Sequence, residues 1–392
     1  MIQEPILITV ILAAVVTSAA RWHEHFKNSK VMRFLPTPVL CYIPPTILTT
    51  VGILPMQSVV YDWISRYVLP ACLILLLMTT DIKGLKKMGR IALIAMLGAT
   101  GTVIIGGISV FFLFRNQLGP ENWKAIGTLT ASWVGGTANQ LAVKQATNLS
   151  DALFGPLFIS DITMVYIWMT FLMILSVNQK KIDCFFQADR KQIEIITSHS
   201  SALQNPLPTS PRKIFTRSLI TCLFAGFALG GISTWMGSQI PEIGMAINRS
   251  TWIIILVTTI GLMMAFTRFA HRESATSAHV GYFLLYFVLA STGAKANLLA
   301  IVKAPLFLGI AFIWMIIHGV LFLIFGRFLR IPIAMLATAS QAALGGVVSA
   351  PIVASTYEPK LISIALILAI FGNAIGNYIG ILTAQFLRLF SG

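Results

Sequence analysis

Thirteen acidic residues are spread along this 392-residue chain, and twelve of them fall in loops or at the ends of apolar stretches. The exception is Asp161, inside Phe158-Ile-Ser-Asp-Ile-Thr-Met-Val-Tyr-Ile-Trp168. A carboxylate so deep in an apolar segment costs at least about 2.5–3.5 kcal/mol by insertion scales unless it is paired, hydrated or protonated, so such a residue marks a candidate cation or proton site. The bland alternative is a neutral acid bonded to a neighbouring helix. Two further segments combine paired glycines with neutral polar groups. The first carries Ser132, Gly135, Gly136, Thr137, Asn139 and Gln140; the second carries Ser340, Gln341, Gly345, Gly346 and Ser349. Hydroxyls, amides and freed carbonyls suit sodium, and half-helix N-termini near the membrane midplane suit an anionic solute. Glycines also serve simple close packing of helices, but packing gives no reason for Asn139 and Gln140 beside them.

Near the C-terminus, Gly372-Asn-Ala-Ile-Gly-Asn-Tyr-Ile-Gly380 sets Asn373 and Asn377 four residues apart, on one helical face. That spacing implies one wet face. Asn373 follows Gly346 by nearly the interval at which Asp161 follows Gly136, which makes Asn373 its neutral counterpart. Lys295 follows a short apolar stretch and is a candidate partner for a solute carboxylate, or a lysine snorkelling to the interface. His318 is a lone mid-segment histidine, read as a satisfied interhelical donor. No phosphate-binding loop, H-E-x-x-H or G-x-S-x-G motif occurs, so neither an ATP-driven pump nor an enzyme is expected.

The elements that must hold these residues are membrane spans. Apolar residues make up 56% of the chain and charged ones 10%, with a mean hydropathy of +0.83, against about 45–50% and 25% in soluble domains. This excludes a cytosolic enzyme. The net charge of +15 resides between apolar stretches, which points to loop orientation and anionic lipid headgroups and away from nucleic acid. Cys41, Cys72, Cys184 and Cys222 show no metal or disulfide spacing. The apolar run from Pro5 to Ala20 has its basic residues after it, unlike a cleavable signal, and is read as the first span.

Ten spans are expected near residues 5–20, 36–54, 65–80, 91–114, 152–176, 214–236, 250–267, 280–293, 304–326 and 361–387. The Gly-Gly segments, about 125–146 and 331–355, are long enough to cross or to re-enter. Loop charge favours re-entry: twenty Lys and Arg then lie on one side and eight on the other, whereas full crossing leaves thirteen against fifteen. Both termini then face outward and 178–213 is a cytoplasmic linker. Residues 1–177 and 214–392 become two repeats of opposite orientation, with Thr130-Ala-Ser132 recurring as Thr338-Ala-Ser340, the Gly pairs recurring, and Lys83 matched by Lys295.

The Ser-Trp-Val-Gly-Gly-Thr-Ala-Asn block, the Ser-Asp-Ile-Thr-Met-Val-Tyr-Ile-Trp span, the Ser-Gln-Ala-Ala-Leu-Gly-Gly-Val-Val-Ser-Ala-Pro351 block and the closing Gly-Asn-Ala-Ile-Gly-Asn-Tyr-Ile-Gly together resemble the YjcL-like family, domain of unknown function 819. The resemblance spans nearly the whole chain. It implies kinship with the cation/proton antiporter and anion transporter superfamily: inverted repeats, discontinuous crossing elements and alternating access. By position it points to Ser132, Gly135, Gly136, Asn139, Asp161, Ser340, Gly345, Gly346 and Asn373. One departure is Ala-Ala-Leu after Gln341, where a more polar Ala-Asn-Ile would fit the pattern.

The expectation is an all-α polytopic membrane protein of the bacterial inner membrane, a secondary transporter for a small organic anion. Sodium or protons would couple through Asp161, Asn139 and Asn373. The solute would meet Ser132, Gly135, Gly136, Thr137, Gln140, Ser340, Gln341, Gly345, Gly346, Asn377 and Lys295. No cofactor is expected, and no metal beyond sodium at Asp161. The expected partners are the bilayer and the solute, with a homodimer as candidate assembly. Plain monovalent cation/proton antiport is the alternative, and a membrane enzyme or sensor for lipid-linked precursors a remoter one.

Overall fold

A computed structural model describes residues 2–26, 37–80, 89–188, 216–243, 248–296 and 304–391. Among them are fourteen helices: α1 (Pro5–Phe26), α2 (Thr37–Thr50), α3 (Val59–Leu77), α4 (Arg90–Leu118), α5 (Asn122–Gly135), α6 (Thr137–Thr147), α7 (Asp151–Ser176), α8 (Gln179–Phe186), α9 (Thr216–Gln239), α10 (Arg249–Met264), α11 (Arg268–Ala294), α12 (Ala304–Leu329), α13 (Ile333–Tyr357) and α14 (Ile362–Arg388). Nine are long and apolar enough to span a bilayer. The chain is an all-α polytopic membrane protein.

Eight of the ten expected spans coincide with such helices. The other two are shorter: α2 has 14 residues and contains Pro44 and Pro45, and α10 has 16. At 1.5 Å per residue they reach about 21 and 24 Å, less than a hydrocarbon core of about 30 Å. Two helices begin earlier than expected. α3 starts at Val59, because Asp62 and Arg66 do not interrupt a helix carried through a π-turn at Ile64–Val68, and α11 starts at Arg268. The polar stretch after residue 177 opens as a helix, α8, which buries Asp183 and Phe186. Lys83 and residues 189–213 lie outside the described residues.

The chain forms two compact units, each built from segments before and after residue 178. Unit one comprises Met1–Thr79, Asn148–Ile159 and Lys213–Pro305. In it α11 packs on α2 and α3, and α9 on α3 and α10. Hydroxyls bond to carbonyls across these seams: Thr46 to Gly293 O (2.9 Å), Thr49 to Ala294 O (2.8 Å) and Ser277 to Leu75 O (2.8 Å). With no hydrophobic drive between helices in lipid, such bonds and small-residue contacts take over the work of association.

Unit two comprises Thr80–Thr147, Ser160–Arg212 and Leu306–Gly392. Its axis is α14, whose Gly372, Gly376, Gly380 and Ala384 recur every four residues and so line one face. α5 and α6 both lie along that groove. On the way in, Gly127 meets Ala384 and Gly380, Ala131 meets Gly380, and Gly135 meets Gly372; on the way out, Asn139 meets Gly376 and Val143 is back against Gly380. The contact point moves toward the α14 N-terminus and returns. Segment 122–147 is therefore a helical hairpin.

α13 turns in the same way. Ile333 N–H bonds to Asp183 Oδ1 (2.9 Å) on α8, Ser340 meets Trp168 on α7, and the Tyr357 hydroxyl donates to Leu172 O (2.5 Å), back toward the α8 end. Its two halves meet at Gly346 (φ 63°, ψ −156°). The open end of this hairpin joins the N-terminus of α14 through the turn Pro359–Leu361. The open end of the first lies at the α14 C-terminus, where Arg388 covers the Trp123 ring. The hairpins thus enter unit two from opposite ends of α14. Large apolar side chains such as Phe312, Val320, Phe328 and Leu382 remain exposed on its helices, the surface that lipid demands.

Candidate functional site

Both hairpins break at a glycine with positive φ, Gly136 at 79° and Gly346 at 63°. A residue with a Cβ is strained there, which is why the second glycine of each pair is the hinge. At the first break, Gly136 N–H closes on Ser132 O (2.6 Å), and Asn139 Nδ2 reaches back to Gly135 O (2.6 Å) and across to Asn373 O (3.1 Å). Asn373 holds its side-chain carbonyl over Gly136. At the second break, Gln341 Nε2 donates to Ser349 Oγ (2.8 Å) beside Gly345. Gly346 is buried, yet a Cβ there would meet nothing within 4 Å, so a small space adjoins this tip.

Asp161 is 3% exposed. Ser132 Oγ donates to its Oδ2 at 2.5 Å and Trp133 Nε1 to its Oδ1 at 2.7 Å. Hydrogen bonds to an ionised acceptor are short and about twice as strong as neutral ones, so two of them offset part of the burial cost. Gln140, wholly buried, turns its amide toward the same carboxylate but stops short of a hydrogen bond there or elsewhere. Gln341 Oε1 is likewise buried without a partner.

The second hairpin is held by a different set. Ser340 Oγ accepts from Trp168 Nε1 (2.9 Å) and contacts His318 Nε2 (2.9 Å), while His318 Nδ1 meets Thr102 Oγ1 (2.9 Å). His318 is the interhelical link expected of it, and it is also tied to the hairpin.

The structure thus gathers Ser132, Gly135, Gly136, Asn139, Gln140, Asp161 and Asn373 at the first tip, with Thr137 opening the return helix. Ser340, Gln341, Gly345 and Gly346 stand at the second. The two hairpins are packed neighbours, since α5 contacts α13. Asn377 is 1% exposed, on the glycine-lined face of α14, and Asn373 is partly exposed. Lys295 belongs to unit one, where its Nζ lies 3.3 Å from Asp62 Oδ1. Trp133, Trp168, His318 and Thr102 were not among the expected site residues. For Trp133 a signal existed: a buried indole N–H needs an acceptor, and Asp161 is the only acid placed deep in an apolar segment. No group of three or more His, Cys, Asp or Glu suited to a metal occurs among the described residues.

These features define a class: polytopic α-helical membrane proteins with two broken helical hairpins and a buried carboxylate at one tip. The match to a family model then places the chain. Residues 7–390 match the protein family of unknown function DUF819, and the chain belongs to that family. It is similar to the uncharacterized membrane protein YjcL of Bacillus subtilis (strain 168), at 25% identity over 342 residues, covering 85% of each chain.

Proposed function

We infer that this protein is a secondary active transporter of the inner membrane that moves a small organic anion, coupled to a cation gradient through Asp161. The observation that carries this reading is the pair of broken hairpins entering unit two from opposite ends, with Asp161 held at the tip of the first. Irregular backbone at membrane depth is tolerated where it lines a cavity, and paired broken helices mark transporter sites. Opposite entry of the hairpins, the positive-φ glycine in each, and the matching Thr130 and Thr338 bonds to carbonyls one turn back (2.9 and 2.7 Å) support an inverted repeat. In this arrangement the half-helix beginning at Thr137 offers backbone N–H groups to a carboxylate solute, and Gln140 and Gln341 supply free amide atoms. The positive-inside count supports both termini outside. Purified protein screened by thermal shift against organic acids, amino acids and peptides, with and without sodium, should yield a stabilising solute. Vesicles should then accumulate it under an imposed gradient, and Asp161→Asn should abolish accumulation while the protein stays folded. Proton release on adding sodium or potassium, with no organic solute required, would favour antiport instead.

A further inference from the structure

The two oxygens of Asp161 each already face a hydrogen: the indole N–H of Trp133 on Oδ1 and the Ser132 hydroxyl on Oδ2. An indole nitrogen only donates and has no lone pair to offer a metal. Nor is Trp133 free to turn away. It is wholly buried, its ring centroid is 4.8 Å from that of Trp314, and Trp314 is fixed by a 2.8 Å bond to Val103 O and by its fit against Gly106 and Gly107. Hard cations require a shell of oxygen lone pairs directed at the ion. One of the two lone pairs of Oδ1 is committed to a hydrogen that cannot turn away, which leaves this carboxylate fewer directions from which to build a cation shell. A proton needs a single lone pair.

We propose that the ion bound and released by Asp161 is a proton, and that Trp133 is the residue that excludes sodium; this rests on the transporter reading above. In the step, hydronium delivers its proton to Oδ2 and leaves as water. The new Asp161 O–H donates to Ser132 Oγ, and the Ser132 hydrogen turns to the carbonyl of Thr128 one turn back, as Thr130 does to Ile126 and Thr338 to Ala334. Oδ1, now the carbonyl oxygen of the acid, keeps its bond from Trp133. Gln140, the buried amide without a partner, stands ready as a second acceptor for the acid proton. Side chains recorded at this carboxylate, among the described residues, are Ser132, Trp133 and Gln140, none of them ionisable. His318 is engaged by Thr102 and Ser340.

The test is infrared titration of the carboxylic-acid C=O band, on full-length protein in lipid vesicles, in sodium chloride and in choline chloride. Wild type should show a band that grows as pH falls, is missing from Asp161→Asn, and has the same midpoint in both salts. In Trp133→Phe, which frees Oδ1, sodium should lower the midpoint by about one pH unit, a tenfold competition. Should that variant not fold, Trp133→Tyr brings a hydroxyl lone pair to the same place and carries the same expectation. A wild-type midpoint lowered by sodium overturns the proton assignment and leaves the transporter standing. A tryptophan variant as indifferent to sodium as wild type overturns the role of Trp133. Unchanged gradient-driven uptake by Asp161→Asn, with its band gone, removes the carboxylate from the mechanism, and wild-type vesicles that accumulate no solute under any gradient sink the transporter reading itself.

Discussion

The two hairpins of unit two solve one backbone problem in one way and do different chemistry with it. Each interrupts a helix at a glycine of positive φ, and each spans the break with a side chain three residues on, Asn139 in the first and Ser349 in the second. Around the first break the serine and tryptophan of Ser-Trp point at a carboxylate. Around the second, Ser340 meets the imidazole of His318 and an indole from another helix. A buried carboxylate can change charge for the cost of one proton, whereas an imidazole already bonded on both sides gains nothing by it. In the proposed transport reaction the ionisable group belongs to the first hairpin, and the second offers shape and neutral dipoles.

That contrast can be broken in order of expected effect. Asp161→Asn should reduce gradient-driven uptake to the level of empty vesicles while gel filtration still shows folded protein. Next comes docking. An added Cβ at Gly372 would drive into the backbone carbonyl of Val134, which cannot step aside, so Gly372→Ala should destabilise by about 3 kcal/mol, the upper end for overpacking, in a detergent unfolding titration. His318→Phe removes one hydrogen bond each from Thr102 and Ser340 and should cost about 1–2 kcal/mol. The pH profile of uptake should keep its wild-type shape, because the carboxylate is untouched; a displaced profile would make the second hairpin ionisable too. Gly346→Ala meets open space and pays only for its positive φ, about 1–2 kcal/mol, so its unfolding midpoint should fall less than that of Gly372→Ala. Smallest is Lys295→Met: it loses a pair whose Asp62 side chain is 81% exposed, worth under about 1 kcal/mol. Uptake by this variant should show an unchanged KM.

Much of the architecture was legible because a bilayer imposes a coarse code. Apolar length gave eight spans, and the paired glycines marked the two segments whose helices break, as the contacts of Gly127, Val143, Ile333 and Tyr357 show. Asp161 stood out because a carboxylate in lipid has few excuses. For Asn373 and Asn377, period alone shows that they share a face but not what covers it. Trp133 and Trp168 go unmarked because aromatic residues in apolar runs ordinarily pack, and only a partner reveals that an N–H is being used.

Composition, period and charge distribution are one-dimensional quantities, and they sufficed to determine a membrane-embedded all-α chain with two loosened segments and one buried acid. Which atoms meet at those loosened segments was decided by folding alone. Ser132, Trp133 and Asp161 are joined by hydrogen bonds spanning 28 and 29 residues, and Asn139 and Asn373 by one spanning 234. Bonds of about 3 Å depend on direction and separation in space, and the order of residues along a chain carries neither.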